Sequence, residues 1–508
     1  MSLSTRAEPG FSPDGLDYQT NDQDPKRWLA LAIIAISQLM IVLDGSIVNI
    51  ALPSAQHALH ISTANRQWVI TAYTLSFGGL LLLGGRVADY LGRKRVFIVG
   101  LIGFATSSAI GGLAPNAAAL FGARALQGAF AALMAPAALS LISVTFTEAH
   151  ERARAFGVYG AISGGGAAIG LIAGGVLTQY ASWRWCLLVN VPVAVFAASA
   201  ALYVVRDTRP ERAQRHYDLP GALTATLGLV ALVYAFTKAE TGGWLSAGTL
   251  GFLGGALVLL AAFVALELRS DHPLLPLRVV VDRNRGGSYL TSLLAGLALF
   301  GMFLFLTFYL QGTLHYSALK SGFAFLPFSL GIIVSATVAA QLLPRFGPRA
   351  LMVTGMLMAT AGLILFTGIG VHSSYVTHVL PAVVIISLGM GLVFVPLSST
   401  ALTGVDERDA GVASALVNTT QQVGGSLGTA LLNTVAATAT TTYLRSHGAT
   451  SAIKAAGIVH GYSVAFTLSA ILLGVGAITA LLLIRPNTVR YSERVDQQSG
   501  ERPALEPI

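Results

Sequence analysis

One cysteine, Cys186, stands in 508 residues. A lone thiol excludes an intrachain disulfide and any cluster of thiolates around a metal. Charge is scarce too, at 11% of residues against roughly 25% in soluble domains. The helices therefore lack the polar outer faces that a water-soluble fold of this size requires. No phosphate-cradling loop of the G-x-x-x-x-G-K-[ST] form occurs, which argues against ATP as the direct energy source. No catalytic constellation stands out either. The G-x-S-x-G string at Gly424-Gly425-Ser426-Leu427-Gly428 sits inside an apolar helical run with no strand before it, so it is not read as a hydrolase elbow. His57 and His60, and likewise His372 and His378, lack the carboxylate or cysteine company of a metal site. Neither a metal nor a cofactor is expected, and the chain is not read as an enzyme. Residues 1–24 are polar and hold no apolar segment of the signal-peptide kind, so the first apolar run is expected to act as the targeting signal.

What the chain has in abundance is hydrocarbon: 54% hydrophobic residues and a mean hydropathy of +0.69. Runs of roughly 20 residues or more, long enough as helix to cross about 30 Å of bilayer, recur from end to end. Fourteen are legible, from 28–52 to 457–484, and they predict an all-α polytopic membrane protein. The net charge of +8 is not a nucleic-acid footprint, because the cations fall in short loops between apolar runs. With both termini inside, 24 of the 31 Lys and Arg residues lie on the inner side, the bias expected of cytoplasmic loops. A bacterial plasma membrane is the expected location.

Within this apolar chain two charges are out of place. Asp44 lies in "QLMIVLDGSIVNIALP", where Ser37, Asp44 and Val48 share one helical face with Gln38, Gly45 and Asn49 beside it. Arg124 opens "RALQG" several residues inside the fourth run. Ionisable groups at such depth are costly and are expected to face the bundle interior with a partner. Burial favours the neutral acid, while a nearby cation favours the carboxylate. Asp44 is thus expected to line the central cavity and exchange a proton as access alternates, with Arg124 as its partner. A permanent structural pair is the competing reading.

The second half repeats features of the first. "GRVADYLGRKRVFIVG" leads into the third run and "LLPRFGPRALMVTG" into the eleventh, which aligns Gly92 with Gly347. The same alignment brings the glycine-rich fifth run, with Gly166, Gly170 and Gly174 at i, i+4 and i+8, near "QQVGGSLGTALL" in the thirteenth. Such repetition is common in transporters. The expected layout is a tail at 1–27, a six-helix bundle at 28–205, a linker with two additional helices at 206–286, a second six-helix bundle at 287–484 and a tail at 485–508.

Five segments in order, "LDGSIVNIALP", "GGRVADYLGRKR", "ARALQGAFAA", "SWRWCLLVNVP" and "GVASALVNTTQQVGGSLG", resemble the major facilitator superfamily, specifically its fourteen-helix drug:proton antiporter family of the EmrB/QacA type. The resemblance implies alternating access, proton coupling through the acid at Asp44, and a gating loop at Gly85, Asp89, Gly92, Arg93 and Lys94. For that loop a topology-setting role is the alternative. Where the family's antiporters carry a proline after the equivalent of Gly170, this chain has Leu171, so the glycine stripe reads equally as helix packing.

Polar and aromatic side chains in the spans are the candidate cavity contacts: Gln38, Tyr73, Gln127, Tyr309, Gln311, Asn418 and Gln421. Helix-to-helix hydrogen bonding is the competing role for each. With no clear mid-membrane acid beyond Asp44, the expected substrate is a neutral or singly cationic amphipath, a drug or secondary metabolite. Export of a lipid or glycolipid is the alternative. Protons and membrane lipid are the other expected partners, and the protein is expected to be a monomer.

Overall fold

The computed structural model describes residues 26–146, 148–205, 218–270, 273–275, 277–405, 410–448 and 450–486. Both tails fall almost wholly outside these residues. Helices account for nearly everything described: α1 (Arg27–Ala58), α2 (Trp68–Leu91), α3 (Arg93–Gly112), α4 (Ala117–Thr145), α5 (Ala149–Tyr180), α6 (Trp185–Leu188), α7 (Asn190–Val204), α8 (Leu219–Gly242), α9 (Ala247–Arg269), α10 (Leu277–Val281), α11 (Arg283–Phe308), α12 (Ala318–Ala324), α13 (Leu326–Thr367), α14 (Leu380–Leu402), α15 (Ala410–His447) and α16 (Ser451–Leu483). Single π-helical turns, Tyr309–Thr313 and Tyr375–Val379, follow α11 and precede α14.

Among the described residues eleven helical stretches are long and apolar enough to cross a bilayer. One of them, Ala318–Thr367, reverses at Gly347 and makes two crossings. The small-residue helices α5 and α15 are not among these eleven and run 32 and 38 residues beside the others. Fourteen passes result, in two six-helix bundles with α8 and α9 between them. The sixth pass runs continuously from Trp185 to Val204, as read from sequence, and its helical hydrogen bonding lapses only at Val189, three residues before Pro192, where the backbone keeps helical angles (φ −61°, ψ −26°).

Local chemistry sets the turns. Asn116, Asp218, Ser246, Ser317 and Thr450 each accept a backbone N–H at a helix start, satisfying donors that the helix itself leaves orphaned. Gly92 (φ 97°) separates α2 from α3, and Gly347 (φ 73°) folds α13 back on itself. The two glycines aligned by the sequence repeat therefore make equivalent reversals in backbone regions that a side chain would strain.

Glycine also sets helix spacing. A Cβ on Gly170 would overlap Ser46 Oγ, and one on Gly174 would sit 2.8 Å from Ile47 O, so α5 lies directly on α1. In the second bundle Cβ atoms on Gly424 and Gly428 would overlap the carbonyls of Leu293 and Leu297, which puts α15 on α11 in the same way. Fifth helix on first is thus repeated in both halves. Between bundles, α2 packs on α15 and α5 on α12, with α8 wedged against α2 and α15.

One face of the bundle carries residues 26 and 486, and the other is sealed. There Arg66 Nε donates to Asn433 Oδ1 at 3.0 Å while its guanidinium lies 4.0 Å over the Phe308 ring. Asn433 donates to Thr63 O and Gln67 Oε1, and Gln67 to Thr237 Oγ1, joining α2, α8 and α15.

Candidate functional site

Between the bundles lies a cavity of about 860 Å³. Its wall runs from Ile70 and Arg124 at mid-depth to Gly85, Arg86, Ser143 and Leu402 near the face that carries both termini. With the opposite face sealed, the cavity opens toward the terminus face. Phe300, Phe303, Phe328 and Ile332 form an apolar wall on the second bundle, while Gln38, Asn49, Tyr73, Asn418 and Gln421 supply polar atoms.

The polar strip on α1 divides. Gln38, Val42, Gly45 and Asn49 line the cavity, spaced as one helical face. Asp44 lies a residue off that face and is fully buried, turned toward α4 and α7. This corrects the expectation that Asp44 itself borders the cavity: one residue of helix is about 100° of rotation. Asp44 Oδ2 accepts from Arg124 Nη1 at 2.6 Å. Its Oδ1 accepts from Gln127 Nε2 at 2.7 Å and from Asn190 Nδ2 at 2.9 Å.

Arg124 is itself only 1% exposed. Nε donates to Val69 O at 2.9 Å and Nη1 also to Gln127 Oε1 at 2.7 Å, while Gln127 meets Ser108 Oγ at 2.7 Å. Helices α1, α2, α3, α4 and α7 therefore meet through one ion pair. Close approach makes this possible, because a Cβ on Gly128 would overlap Tyr73 O. The Tyr73 ring lies 4.3 Å from the guanidinium, and both residues border the cavity. Arg124 and Tyr73 stand between the buried carboxylate and the cavity.

Other expected residues scatter. Gln38 is at the cavity, its Oε1 accepting from Tyr159 Oη at 2.6 Å. Asn418 and Gln421 line the opposite wall. Gln127 is locked in the Asp44 network and is not a lining residue. Tyr309 and Gln311 are corrected: Tyr309 Oη donates to Gly370 O at 2.8 Å and Gln311 Nε2 to Ile50 O at 3.0 Å, so both hold helices together toward the sealed face. Gly166, Gly170 and Gly174 press α5 onto α1 around Val42, Ser46 and Ile47, the stretch flanking Asp44.

In the loop motif Gly85 borders the cavity, Gly92 makes the reversal, Arg93 opens α3 and Lys94 Nζ donates to Leu202 O on α7 at 2.9 Å. The Asp89 side chain lies outside the described residues. Sequence reasoning missed Asn190 and Ser108. The signal available for Asn190 was a lone amide in "WCLLVNVP", an apolar run. No Asp or Glu is among the described lining residues, and the charges there are the guanidinium groups of Arg86 and Arg124.

The family model described as Major Facilitator Superfamily matches residues 34–429, which hold both the ion pair and the cavity. The chain belongs to the major facilitator superfamily. Among curated members, the puromycin resistance protein pur8 of Streptomyces alboniger is 53% identical over 473 residues, covering 92% of this chain and 94% of that protein. The cephamycin export protein CmcT of Amycolatopsis lactamdurans is 39% identical over 414 residues, covering 81% and 85%. The same fold is seen in a solved structure of a bacterial homologue of the human lysosomal transporter Spinster in an inward-facing, unoccupied conformation, which superposes with a TM-score of 0.64 at 14% identity, covering 94% of this chain and 99% of that one.

Proposed function

We propose that this major facilitator protein is a proton-driven exporter of a drug or secondary metabolite. The observation that carries the reading is the Asp44–Arg124 pair, a buried carboxylate one side chain removed from a cavity of drug size. Resistance and export relatives support it. The face bearing both termini is taken as cytoplasmic, since its loops carry most of the cations. In the conformation seen here, substrate enters from that side and Asp44 is ionised and paired. When the cavity opens outward, a proton from outside adds to Asp44 and frees Arg124, and return to the inward form releases that proton to the cytoplasm. Net inward movement of a proton drives outward movement of substrate.

The cavity favours a neutral amphipath over a cation, because its described charges are positive and its second wall is phenylalanine-rich. Asp44→Asn removes the exchangeable proton and keeps the side chain's size, although its amide N–H then meets a donor where the carboxylate accepted one. In proteoliposomes with an imposed pH gradient, the folded fraction of this variant, isolated by size-exclusion chromatography and lower in thermal midpoint than the wild type, should bind substrate and fail to concentrate it. Uphill transport by Asp44→Asn would remove Asp44 as the proton carrier. Comparing puromycin-like aminonucleosides, their neutral acylated forms and fluorescent phospholipids separates metabolite export from the lipid alternative.

A further inference from the structure

A second group of acids lies away from the Asp44 site, where the additional helices meet the mouth of the cavity. Asp218 caps α8, its Oδ1 accepting from Gly221 N at 2.8 Å. Glu267, near the end of α9, is 4% exposed, and its Oε2 accepts from Leu275 N at 3.0 Å. Each carboxyl thus has one satisfied oxygen. The other oxygens, Asp218 Oδ2 and Glu267 Oε1, are buried and have no hydrogen-bond donor among the described residues. Asp218 acts on the Glu267 carboxyl both as a charge and as a hydrogen-bonding group. Two buried acceptors brought together repel unless a proton lies between them.

The surroundings complete the count. Arg86 on α2 acts on the Glu267 carboxyl and donates through Nη2 to Pro273 O at 3.0 Å. Two carboxyl groups, one proton and one guanidinium sum to zero charge, the condition under which burial is tolerable. Among the described residues Asp218 from α8 and Arg86 from α2 are the charged groups that act on Glu267. Arg269 and Arg278 on the same segment are exposed, and Tyr289 from α11 turns its hydroxyl to Ala413 O. Asp271 and His272 lie outside the described residues.

What the acids hold is a strap. Residues 273–275 follow α9, tied by Arg86 to the first bundle and by Glu267 to the additional helices. Leu275 packs on a cluster of second-bundle residues that includes Tyr289, Ala401 and Leu416, and Leu82 of α2 packs on the same cluster. Leu82 and Arg86 both line the cavity near its mouth.

We propose that Asp218 and Glu267 form a second protonatable site, sharing one proton between Oδ2 and Oε1, which pins the 273–275 strap across the seam between α2 and the second bundle. Losing that proton to cytoplasmic water leaves two carboxylates in contact. Their repulsion withdraws Glu267 from Leu275 N and loosens the strap, so the additional helices report cytoplasmic pH to the cavity mouth. The site acts without substrate, so its test is independent of what is exported.

Hydrogen–deuterium exchange of a peptide spanning the strap, measured on the purified full chain in lipid nanodiscs from about pH 5 to about pH 9 and corrected for intrinsic exchange, reads the clamp. In the wild type, protection should fall about ten- to hundredfold as the pair loses its proton, the range for one hydrogen bond to a charged group. Glu267→Gln places an amide donor where the proton was and should stay protected throughout. Asp218→Asn supplies the donor from the other side and should do the same. A wild-type strap with pH-independent protection, or amide variants that lose protection as the wild type does, would overturn the proposal. Drug export measured on the same variants keeps this outcome separate from the exporter reading.

Discussion

At the scale of the residue, the ion pair is held by shape and by charge together. Asp44 takes three donors and Arg124 makes three donations, all within the protein. Removing one partner leaves the other buried and uncompensated, which costs about 3–5 kcal/mol, whereas removing both together is far milder. Arg124→Leu should therefore depress the thermal midpoint of the detergent-solubilised protein strongly, and Asp44→Asn/Arg124→Leu should recover much of that loss. Additive losses in the double variant would mean the pair is not coupled. Both charges were legible in the sequence, because ionised groups in apolar runs carry a cost that only a partner offsets. The cavity list was less legible. Tyr309 and Gln311 have the same chemistry as Gln38 and Tyr73, and residue type does not say whether a polar side chain meets ligand or a neighbouring carbonyl. Asn190 was overlooked for the complementary reason: its value lies in a contact with Asp44 that spans 146 positions.

Among the elements, glycine marks the correspondence between halves. Gly92 and Gly347 each reverse the chain at positive φ, and the alignment of two loop motifs predicted that equivalence. A β-carbon in such a region costs about 1–3 kcal/mol. Gly92→Ala and Gly347→Ala should each lower the thermal midpoint, while Gly45→Ala, with nothing within 4 Å of the added carbon, should leave it nearly unchanged. Equal midpoints for all three would separate the reversal geometry from stability. The glycine stripe on α5 was readable as packing for the same steric reason, and Leu171 in place of the family's proline leaves α5 unbroken against α1. The lapse in hydrogen bonding between α6 and α7 has its sequence signal in Pro192, which has no N–H to offer the Leu188 carbonyl.

For the whole molecule, orientation is the quantity still to be measured. On a Cys186→Ser background, Ser451→Cys lies on the sealed face and Thr403→Cys on the terminus face, and both native side chains are exposed. An impermeant maleimide should label Ser451→Cys in intact cells and Thr403→Cys only after permeabilisation. The reverse pattern would invert the direction of transport drawn above. Fourteen passes were countable from hydropathy because each needs its own run of about 20 apolar residues. Which face of each pass meets its neighbours was not, because in a chain hydrophobic all round the amphipathic signal is nearly absent.

Tyr73 and Arg124 screen Asp44 from the cavity. On the proposed roles, a transported molecule meets the lining residues and the proton meets Asp44, with Tyr73 and Arg124 shared between the two. On the same proposal, substitutions along Phe300, Phe303, Gln421 and Asn418 should redraw which compounds are accepted and leave the Asp44–Arg124 pair intact. For a producer of a toxic metabolite, or for a bacterium meeting a new drug, resistance can then broaden by altering the wall alone, and inhibitors aimed at the wall would be easier to escape than a compound that wedges Tyr73 away from Arg124.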